Sequence, residues 1–215
     1  MHRVLIIGGG AGGLELATRL GDSLGRQGKA HVALVDRART HLWKPLLHEV
    51  AAGSMDVHAH QLDYLAQARW HHFRYVPGAL AGLDRTAREV LIDTLRDDTG
   101  AEILPKRRLP YDSLIIAIGS LCNDFGTPAV QSHAFTPATA WQANLFHRRL
   151  VNTCFRANYA NDGRVIRINI VGAGATGVEL AAELHNTLRV LTAYGLEHFV
   201  PDRQIRIAIV EAGPR

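Results

Sequence analysis

The stretch VLIIGGGAGGLELATRL, residues 4–20, decides the fold of this chain. Its first four residues are apolar and predict a buried strand, while the leucines and alanines after the glycines recur at helical spacing. Between the two lie Gly8, Gly10 and Gly13, at the spacing of a dinucleotide-binding turn. The first glycine permits a tight turn, the second lets a diphosphate approach the backbone, and the third lets the helix pack closely on the strand.

A second predicted strand, residues 31–35, is followed by Asp36, about twenty residues after the turn. A carboxylate at the end of this strand can accept hydrogen bonds from both hydroxyls of a ribose. The N–H groups at the start of the helix and the positive end of its dipole favour a phosphate. The glycine pattern alone is weak evidence, but with the strand, the helix and the acid it predicts a nucleotide site.

The same unit recurs near the end of the sequence. A strand at 167–171 precedes the turn Gly172–Gly177, a helix follows to about residue 191, and another strand covers 205–210. Glu211 then takes the place of the acid. Two such units in one chain predict two nucleotide cofactors, with electrons passing from a nicotinamide to a flavin.

The second acid also bears on the choice between NADH and NADPH. Glu211 favours the free 2′-hydroxyl of NADH and repels the 2′-phosphate of NADPH. Arg215 is close enough in the sequence to weaken this preference. NADH is the expected cofactor of the second unit.

The two units predict an α/β protein with two Rossmann-like dinucleotide-binding domains, the second truncated. Residues 1–125 are assigned to an FAD-binding domain, with an inserted β-hairpin region at about 73–110. This insertion is expected to return to a buried strand at 114–118. A connection that contains glycine and proline, 119–137, marks the boundary, and residues 126–215 are assigned to an NADH-binding domain.

Composition and charge narrow the class of protein. Of the 215 residues, 47% are hydrophobic and 20% are charged, which is ordinary for a globular protein. No apolar run approaches the roughly 18 residues of a membrane-spanning helix. The net charge of +4 suits anionic cofactors, lipid headgroups or nucleic acid. Because the basic residues are scattered and no recognition motif accompanies them, no nucleic-acid partner is expected.

The chain has two cysteines, Cys122 and Cys154, and neither belongs to a CxxC pair. A disulfide-reducing relay needs two sulfurs within reach, so this chemistry is not expected. Both cysteines are interpreted as small packed residues, and a reducing cytoplasmic compartment fits this usage. The twelve histidines show no recognised ligand spacing, so no metal is predicted.

Several segments resemble a known family. The run HLWKPLLHEVAAG, residues 41–53, resembles type II NADH dehydrogenases, the non-proton-pumping NADH:quinone oxidoreductases. Residues 111–120 are similar to the second flavin-contacting motif of the two-dinucleotide-binding-domain flavoprotein superfamily, and residues 123–128 and 172–183 again resemble the type II enzymes. The resemblance extends over the whole chain and implies an FAD-dependent transfer of electrons from NADH to a quinone.

The resemblance also implies which residues line two cofactor sites. At FAD it implies Gly8, Gly10, Ala11, Gly12 and Gly13 by the diphosphate, Asp36 and Arg37 by the ribose and adenine, Lys44 and Pro45 by the flavin, Ala79 by the adenine, and Ala117 and Gly119 along the cofactor. At NADH it implies Gly172, Gly174, Thr176, Gly177, Glu179, Glu211 and Ala212.

Two of these residues are candidates for a catalytic role. Lys44 would place a positive charge near the flavin and stabilise its anionic reduced form, or it is simply a surface lysine before a proline. Glu179 would relay a proton to the reduced quinone, or it only complements the dipole of its helix. His48 is expected to orient the segment 43–53.

The last predicted strand stops short of a complete dinucleotide-binding domain. In the resembling family the chain returns to the FAD domain and ends in amphipathic membrane-binding helices. The sequence is therefore expected to be the N-terminal portion of a longer protein, with exposed apolar faces where the rest would pack. The longer protein would be cytoplasmic or peripheral on the cytoplasmic face of the inner membrane, and a homodimer is left open.

Two other interpretations remain. The chain could belong to another FAD-dependent pyridine-nucleotide oxidoreductase, of the ferredoxin reductase or nitrite reductase type. It could also be a nucleotide-binding module without catalysis. The electron acceptor of the intact protein separates the first from the quinone reductase, and NADH oxidation separates both enzymes from the module.

Overall fold

A computed structural model describes residues 1–120, 122–124, 126–128 and 130–213. The chain divides into two compact units. Unit 1 comprises Met1–Trp43 and His60–Ser120, and unit 2 comprises Lys44–Ala59 and Leu121–Arg215. This division differs from the predicted boundary after residue 125 because residues 44–59 pack with the second unit.

The described residues form strands and helices in the following order of sequence. The strands are β1 His2–Ile7, β2 Ala30–Asp36, β3 Thr40–His41, β4 Leu62–Asp63, β5 Arg74–Pro77, β6 Leu80–Asp84, β7 Glu89–Ile92, β8 Leu95–Arg96, β9 Glu102–Leu104, β10 Arg107–Pro110, β11 Ser113–Ile116, β12 Ile166–Val171 and β13 Ile205–Val210. The α-helices are α1 Ala11–Leu20, α2 Leu47–Ala52, α3 Tyr64–Trp70, α4 Val130–His133, α5 Ala140–Ala160, α6 Ala175–Ala193 and α7 Pro201–Gln204.

Unit 1 is built on a four-stranded parallel sheet with the strand order β11-β1-β2-β5. Side chains of a strand alternate between the two faces of the sheet. Ile6 and Leu34 therefore face a cluster that includes Ala17 of α1, while Leu5 and Ile7 face a second cluster. Because both faces are covered, residues 4–7 of β1 are apolar without alternation, as parallel strands usually are.

The inserted region is more elaborate than the predicted hairpin. It forms a three-stranded antiparallel sheet, β10-β7-β6, and a separate hairpin, β8-β9. Residues 74–77, which were included in the predicted insertion, belong instead to the parallel sheet, because β5 pairs with β2. Buried Val90 and Ile92 of β7 pack against the second cluster of the parallel sheet.

The strand expected to be buried at 114–118 is only partly so. It ends at Ile116, and both Ile116 and Ile118 are exposed. Leu114 and Ile115 pack against opposite clusters of unit 1. In the described sheet β11 is an outer strand, which has a neighbouring strand, β1, on one side only.

Unit 2 contains the second strand–turn–helix unit. β12 and β13 pair in parallel from Ile166↔Ile205 to Val171↔Val210. Its core includes Leu150 of α5, Leu184 and Leu188 of α6, and Ala52 of α2. This shared core explains why residues 44–59 belong to unit 2.

The two cysteines of unit 2 differ. Cys154 is fully buried in the core, and burial raises the pKa of its thiol to about 11. Cys122 is exposed, so the prediction that both cysteines are packed is wrong for this residue. In the described ranges no helix is both long enough and apolar enough to cross a bilayer.

Candidate functional site

The first glycine turn joins β1 to α1 in unit 1. Gly8 has a φ of +104°, which side chains rarely tolerate, and a Cβ there would collide with the Ala117 carbonyl group. A Cβ on Gly13 would collide with the carbonyl oxygen of Gly8. Both glycines are therefore required by close packing, and Ala117 of the neighbouring strand end forms part of the same contact.

Two other glycines of this turn face open space. A Cβ on Gly10 or Gly12 would meet no atom within 4 Å. Gly10 caps α1 in an extended conformation, without a side-chain hydrogen bond to the cap. The N–H groups of the first helical turn, which starts at Ala11, are thus available to an anion. This backbone fits a diphosphate, and a side chain at Gly10 would occupy its space.

Asp36 lies at this turn. One carboxylate oxygen accepts a hydrogen bond from the Gly9 N–H at 2.6 Å, and the other accepts from Ala38 N–H at 2.8 Å. The exposed Arg37 follows it in the chain. Asp36, the acid predicted from the sequence, therefore lies at the carboxyl end of β2 and is hydrogen-bonded to the glycine turn.

The remaining predicted residues of unit 1 lie at the same end of the sheet, where its parallel strands have their carboxyl ends. Gly78, just after β5, donates its N–H to the Asp36 carbonyl at 2.9 Å and leads into the exposed Ala79. Gly119 follows β11 with a φ of +73°. The carboxyl ends of parallel strands are where α/β proteins bind their ligands.

The second turn, in unit 2, repeats the backbone geometry of the first. Gly172 has a φ of +105°, and a Cβ on Gly177 would collide with the Gly172 carbonyl oxygen. Gly174 caps α6 in an extended conformation and faces open space. The Gly172 N–H donates to Val210 O at 2.8 Å, as the equivalent Gly8 donates to Val35 O at 2.8 Å. Exposed Thr176 lies in the first turn of α6.

Glu211 occupies the second turn as Asp36 occupies the first. It accepts hydrogen bonds from the N–H groups of Ala173 at 2.7 Å, Ala212 at 2.8 Å and Gly213 at 3.1 Å. These bonds lower the pKa of the Glu211 carboxyl, that from Ala173 most. The carboxylate is thus held charged at the turn. Arg215, expected to weaken its preference for NADH, lies outside the described residues.

The two catalytic candidates both lie in unit 2. Lys44 and Pro45 are exposed residues of a short 3-10 turn that leads into α2. Glu179 lies on α6, with 53% of its side chain exposed. The structure brings Glu179 to the α2 segment, since its carboxylate is 3.5 Å from Nδ1 of His48.

His48 was expected only to orient its own segment, and its surroundings are richer. The residue is 9% exposed, and its Nδ1 is 2.7 Å from the carbonyl oxygen of Pro45. A carbonyl oxygen only accepts, so Nδ1 carries the hydrogen. Nε2 lies 4.0 Å from a carboxylate oxygen of Glu49. His48 is therefore flanked by the carboxylates of Glu49 and Glu179, a pairing across α2 and α6 that local sequence patterns do not reveal.

Sequence reasoning also missed three residues of the first turn. The carbonyl oxygen of Gly9 accepts hydrogen bonds from the hydroxyl of Tyr64 at 2.6 Å and from Nδ1 of His41 at 2.9 Å. A Cβ on Gly9 would collide with the Tyr64 hydroxyl group. No pattern in the sequence analysis points to these residues, because Tyr64 and His41 lie far from Gly9 along the chain. In the described ranges, no three His, Cys, Asp or Glu side chains lie together as a metal would require.

Comparison with known proteins agrees with this geometry. A type II NADH:quinone oxidoreductase from Haemophilus influenzae is 41% identical over 230 aligned residues, which include 100% of this chain and 52% of the relative. The structure of NDH2 from Plasmodium falciparum in complex with NADH superposes with a TM-score of 0.79 at 20% identity, over 99% of this chain and 42% of that chain. A sulfide:quinone oxidoreductase from Aquifex aeolicus superposes with a TM-score of 0.68 at 20% identity, over 100% of this chain and 44% of that chain.

These likenesses carry different weight. The two solved structures share the fold with this chain, and at 20% identity they show no more than the fold. The chain spans about half the length of the curated relatives it matches. The family model described as pyridine nucleotide-disulphide oxidoreductase matches residues 2–215. Because this match covers nearly every residue and both glycine turns, the chain belongs to the pyridine nucleotide-disulphide oxidoreductase family.

Proposed function

We propose that this chain forms the two nucleotide sites of an enzyme that transfers electrons from NADH, through FAD, to a quinone. The observation that carries the proposal is the repetition of one turn geometry, with an acid at each turn, in units 1 and 2. The 41% identity to a type II NADH:quinone oxidoreductase supports NADH as the electron donor and a quinone as the acceptor.

FAD is assigned to the first turn. The open backbone at Gly10 and Gly12 would hold its diphosphate. The carboxylate of Asp36, which accepts from the Gly9 N–H, would also accept from the adenosine ribose or would give up the Gly9 bond to do so. When bound, FAD supplies the redox chemistry, because it takes a hydride from the nicotinamide and yields electrons to an acceptor. The adenine would lie toward Ala79, with Ala117 and Gly119 along the cofactor.

NADH is assigned to the second turn. Gly174 and the first turn of α6 would hold its diphosphate, and Thr176 would contribute its hydroxyl. Glu211 would accept hydrogen bonds from the adenosine ribose. Its lowered pKa keeps it charged at neutral pH, and a charged carboxylate repels the 2′-phosphate of NADPH.

The residues assigned to catalysis are Lys44 and Glu179. The ammonium of Lys44, next to Pro45, would stabilise negative charge on the reduced flavin. Glu179 would deliver a proton to the reduced quinone, which gains two protons with its two electrons. Its carboxylate lies 3.5 Å from Nδ1 of His48 on α2, and this contact beyond its own helix supports a proton-relay role over a purely helix-capping one.

A thiol mechanism is less well supported, although the family name refers to disulphides. The chain has only Cys122 and Cys154. Burial raises the pKa of Cys154, which disfavours the thiolate that such a mechanism needs. A quinone is soluble in lipid, so the working enzyme is expected at a membrane surface on the cytoplasmic side. A homodimer stays a prediction.

The proposal is tested by acceptor screening of the purified intact protein. We expect flavin absorbance bands, oxidation of NADH in preference to NADPH, and turnover that depends on an added short-chain quinone. Faster turnover with ferredoxin than with quinone would favour the ferredoxin reductase class. A flavin-loaded protein that oxidises no NADH would contradict an enzymatic role and favour the binding module.

A further inference from the structure

The peptide that links Gly9 to Gly10 is held from one side by two donors. The Tyr64 hydroxyl and Nδ1 of His41 both donate to the Gly9 carbonyl oxygen, at 2.6 and 2.9 Å. Gly9 is buried, whereas Gly10 is exposed. This peptide therefore joins a residue in the interior of unit 1 to a residue on the open face of the turn.

The direction of the carbonyl fixes the direction of the next N–H. No cis peptide occurs in the described residues, and in a trans peptide the C=O and N–H groups point in opposite directions. With its oxygen turned toward Tyr64 and His41, the peptide directs the Gly10 N–H away from them. A Cβ built on Gly10 would meet no atom within 4 Å, so the backbone of this exposed residue is open to an approaching diphosphate.

A small ladder brings both donors to this place. β3 and β4 pair antiparallel, with Thr40 opposite Asp63 and His41 opposite Leu62. Tyr64 begins α3 directly after this ladder, and its N–H donates to Arg39 O at 3.1 Å. The cap of α3 is set by Asp63, whose carboxylate accepts from Ala66 N–H at 2.9 Å.

Tyr64 is well suited to be a permanent donor. It is 2% exposed, and burial and the nearby Asp36 charge raise the pKa of its hydroxyl. The hydroxyl therefore keeps its proton at any physiological pH. The ring stacks on Tyr75 with a centroid distance of 5.3 Å, which fixes its orientation.

We propose that Tyr64 and His41 are positioning residues for cofactor binding, which act by turning the Gly9–Gly10 peptide so that the Gly10 N–H donates to the FAD diphosphate. The inference rests on the proposed assignment of FAD to the first turn. It adds residues from β3 and α3 to a diphosphate-binding turn otherwise formed by β1, α1 and β2. The two donors share one acceptor, so either alone keeps the carbonyl partly oriented.

The test removes one hydroxyl at a time from the stacked tyrosines. The Tyr64→Phe variant loses the bond to Gly9. The matched control, Tyr75→Phe, loses bonds to the backbone carbonyl oxygens of Asp36 and Ala38 but none to the Gly9–Gly10 peptide. FAD is removed from the intact protein, and the Kd for FAD is measured by fluorescence titration. We expect an increase of about 2- to 12-fold for Tyr64→Phe and less than about 2-fold for Tyr75→Phe.

A competition assay separates positioning from general weakening of the fold. ADP and adenosine are each used to displace FAD, so only the FAD site is measured. Tyr64→Phe is expected to weaken ADP by the same factor as FAD and to leave adenosine unchanged, because adenosine has no diphosphate. Equal losses for ADP and adenosine, equal losses in the two tyrosine variants, or unchanged FAD binding by Tyr64→Phe would overturn the inference.

His41 gives an independent test if Tyr64→Phe does not fold. The His41→Phe variant lacks the donor and should weaken FAD and ADP but not adenosine. In His41→Asn the amide nitrogen replaces Nδ1 as donor, and it should restore binding toward the wild-type value. No loss in His41→Phe would overturn the inference. Wild-type protein that binds no FAD would instead refute the proposed function.

Discussion

Alanine in place of glycine should affect stability at one position of the first turn and cofactor binding at another. A methyl group on Gly13 would overlap the Gly8 carbonyl oxygen, whereas a methyl group on Gly10 would meet no protein atom within 4 Å. Backbone cannot yield as a flexible side chain can, so Gly13→Ala should lower the free energy of unfolding by about 1–3 kcal/mol. Gly10→Ala should change it by less than about 1 kcal/mol, since the φ of −62° suits alanine.

FAD affinity should respond differently. The methyl group of Gly10→Ala would occupy the space of the diphosphate and break hydrogen bonds to a charged group. Such bonds contribute about 1.5–3 kcal/mol each, so we expect a rise in Kd of roughly 10- to 100-fold. Urea denaturation of the flavin-free protein gives the first quantity, and flavin fluorescence titration gives the second.

Each outcome has a clear contrary. Wild-type FAD affinity in Gly10→Ala would mean that the diphosphate does not approach this face of the turn. Wild-type stability in Gly13→Ala would mean that α1 and β1 are less closely packed than described. The second turn supplies a replicate, because Gly177 and Gly174 stand in the same relation there, with NADH as the ligand.

Three further predictions concern single carboxylates. Glu211→Ala should reduce the preference for NADH over NADPH by about fivefold, because the repulsion between its carboxylate and the 2′-phosphate is lost. Steady-state kcat/KM with each nucleotide measures this preference, and unchanged discrimination would exclude Glu211 from the ribose site. Glu179→Gln should slow quinone reduction by about 100-fold and slow flavin reduction by NADH much less. Stopped-flow absorbance separates the two steps, and a quinone rate equal to that of the wild type would exclude the relay role. Hydrogen bonds from Arg3 hold the pKa of Asp112 well below its usual value. A carboxyl group whose pKa is lowered by folding stabilises the protein above its unfolded pKa of about 4 and loses that effect as the pH falls. The free energy of unfolding should therefore decline below about pH 4 less steeply in Asp112→Asn than in wild type, as urea denaturation at several pH values would test; parallel declines would contradict this.

Local patterns predicted the parts of the fold that depend on neighbouring residues. They predict the two glycine turns, the strand 205–210 and the acid that follows each unit. This is possible because strand, turn and helix follow one another without interruption in each unit. The bond between Tyr64 and Gly9 joins residues 55 positions apart, and no periodicity signals it. His48 and Glu179 are even farther apart along the chain, and their contact depends on how α2 packs on α6.

The burial of particular residues was harder to predict than the elements that carry them. Ile116 and Ile118 have the apolar pattern of a central strand, but β11 is an outer strand of the described sheet and ends at Ile116, and both side chains are exposed. Cys122 and Cys154 were treated alike because their type favours burial. Only Cys154 lies on a helix face that meets a core, and this depends on the packing of unit 2.

The bonds that shape the first turn have a consequence for the rate at which the apoprotein acquires its cofactor. Gly8 is tied to Val35, and Gly9 is tied to Asp36 and Tyr64. All of these partners belong to the protein, so the turn already has its binding conformation in the apoprotein. Little chain entropy is therefore lost when a dinucleotide binds. Flavin uptake by the folded apoprotein should then follow the frequency of productive encounters and rise linearly with flavin concentration, without a plateau set by loop closure.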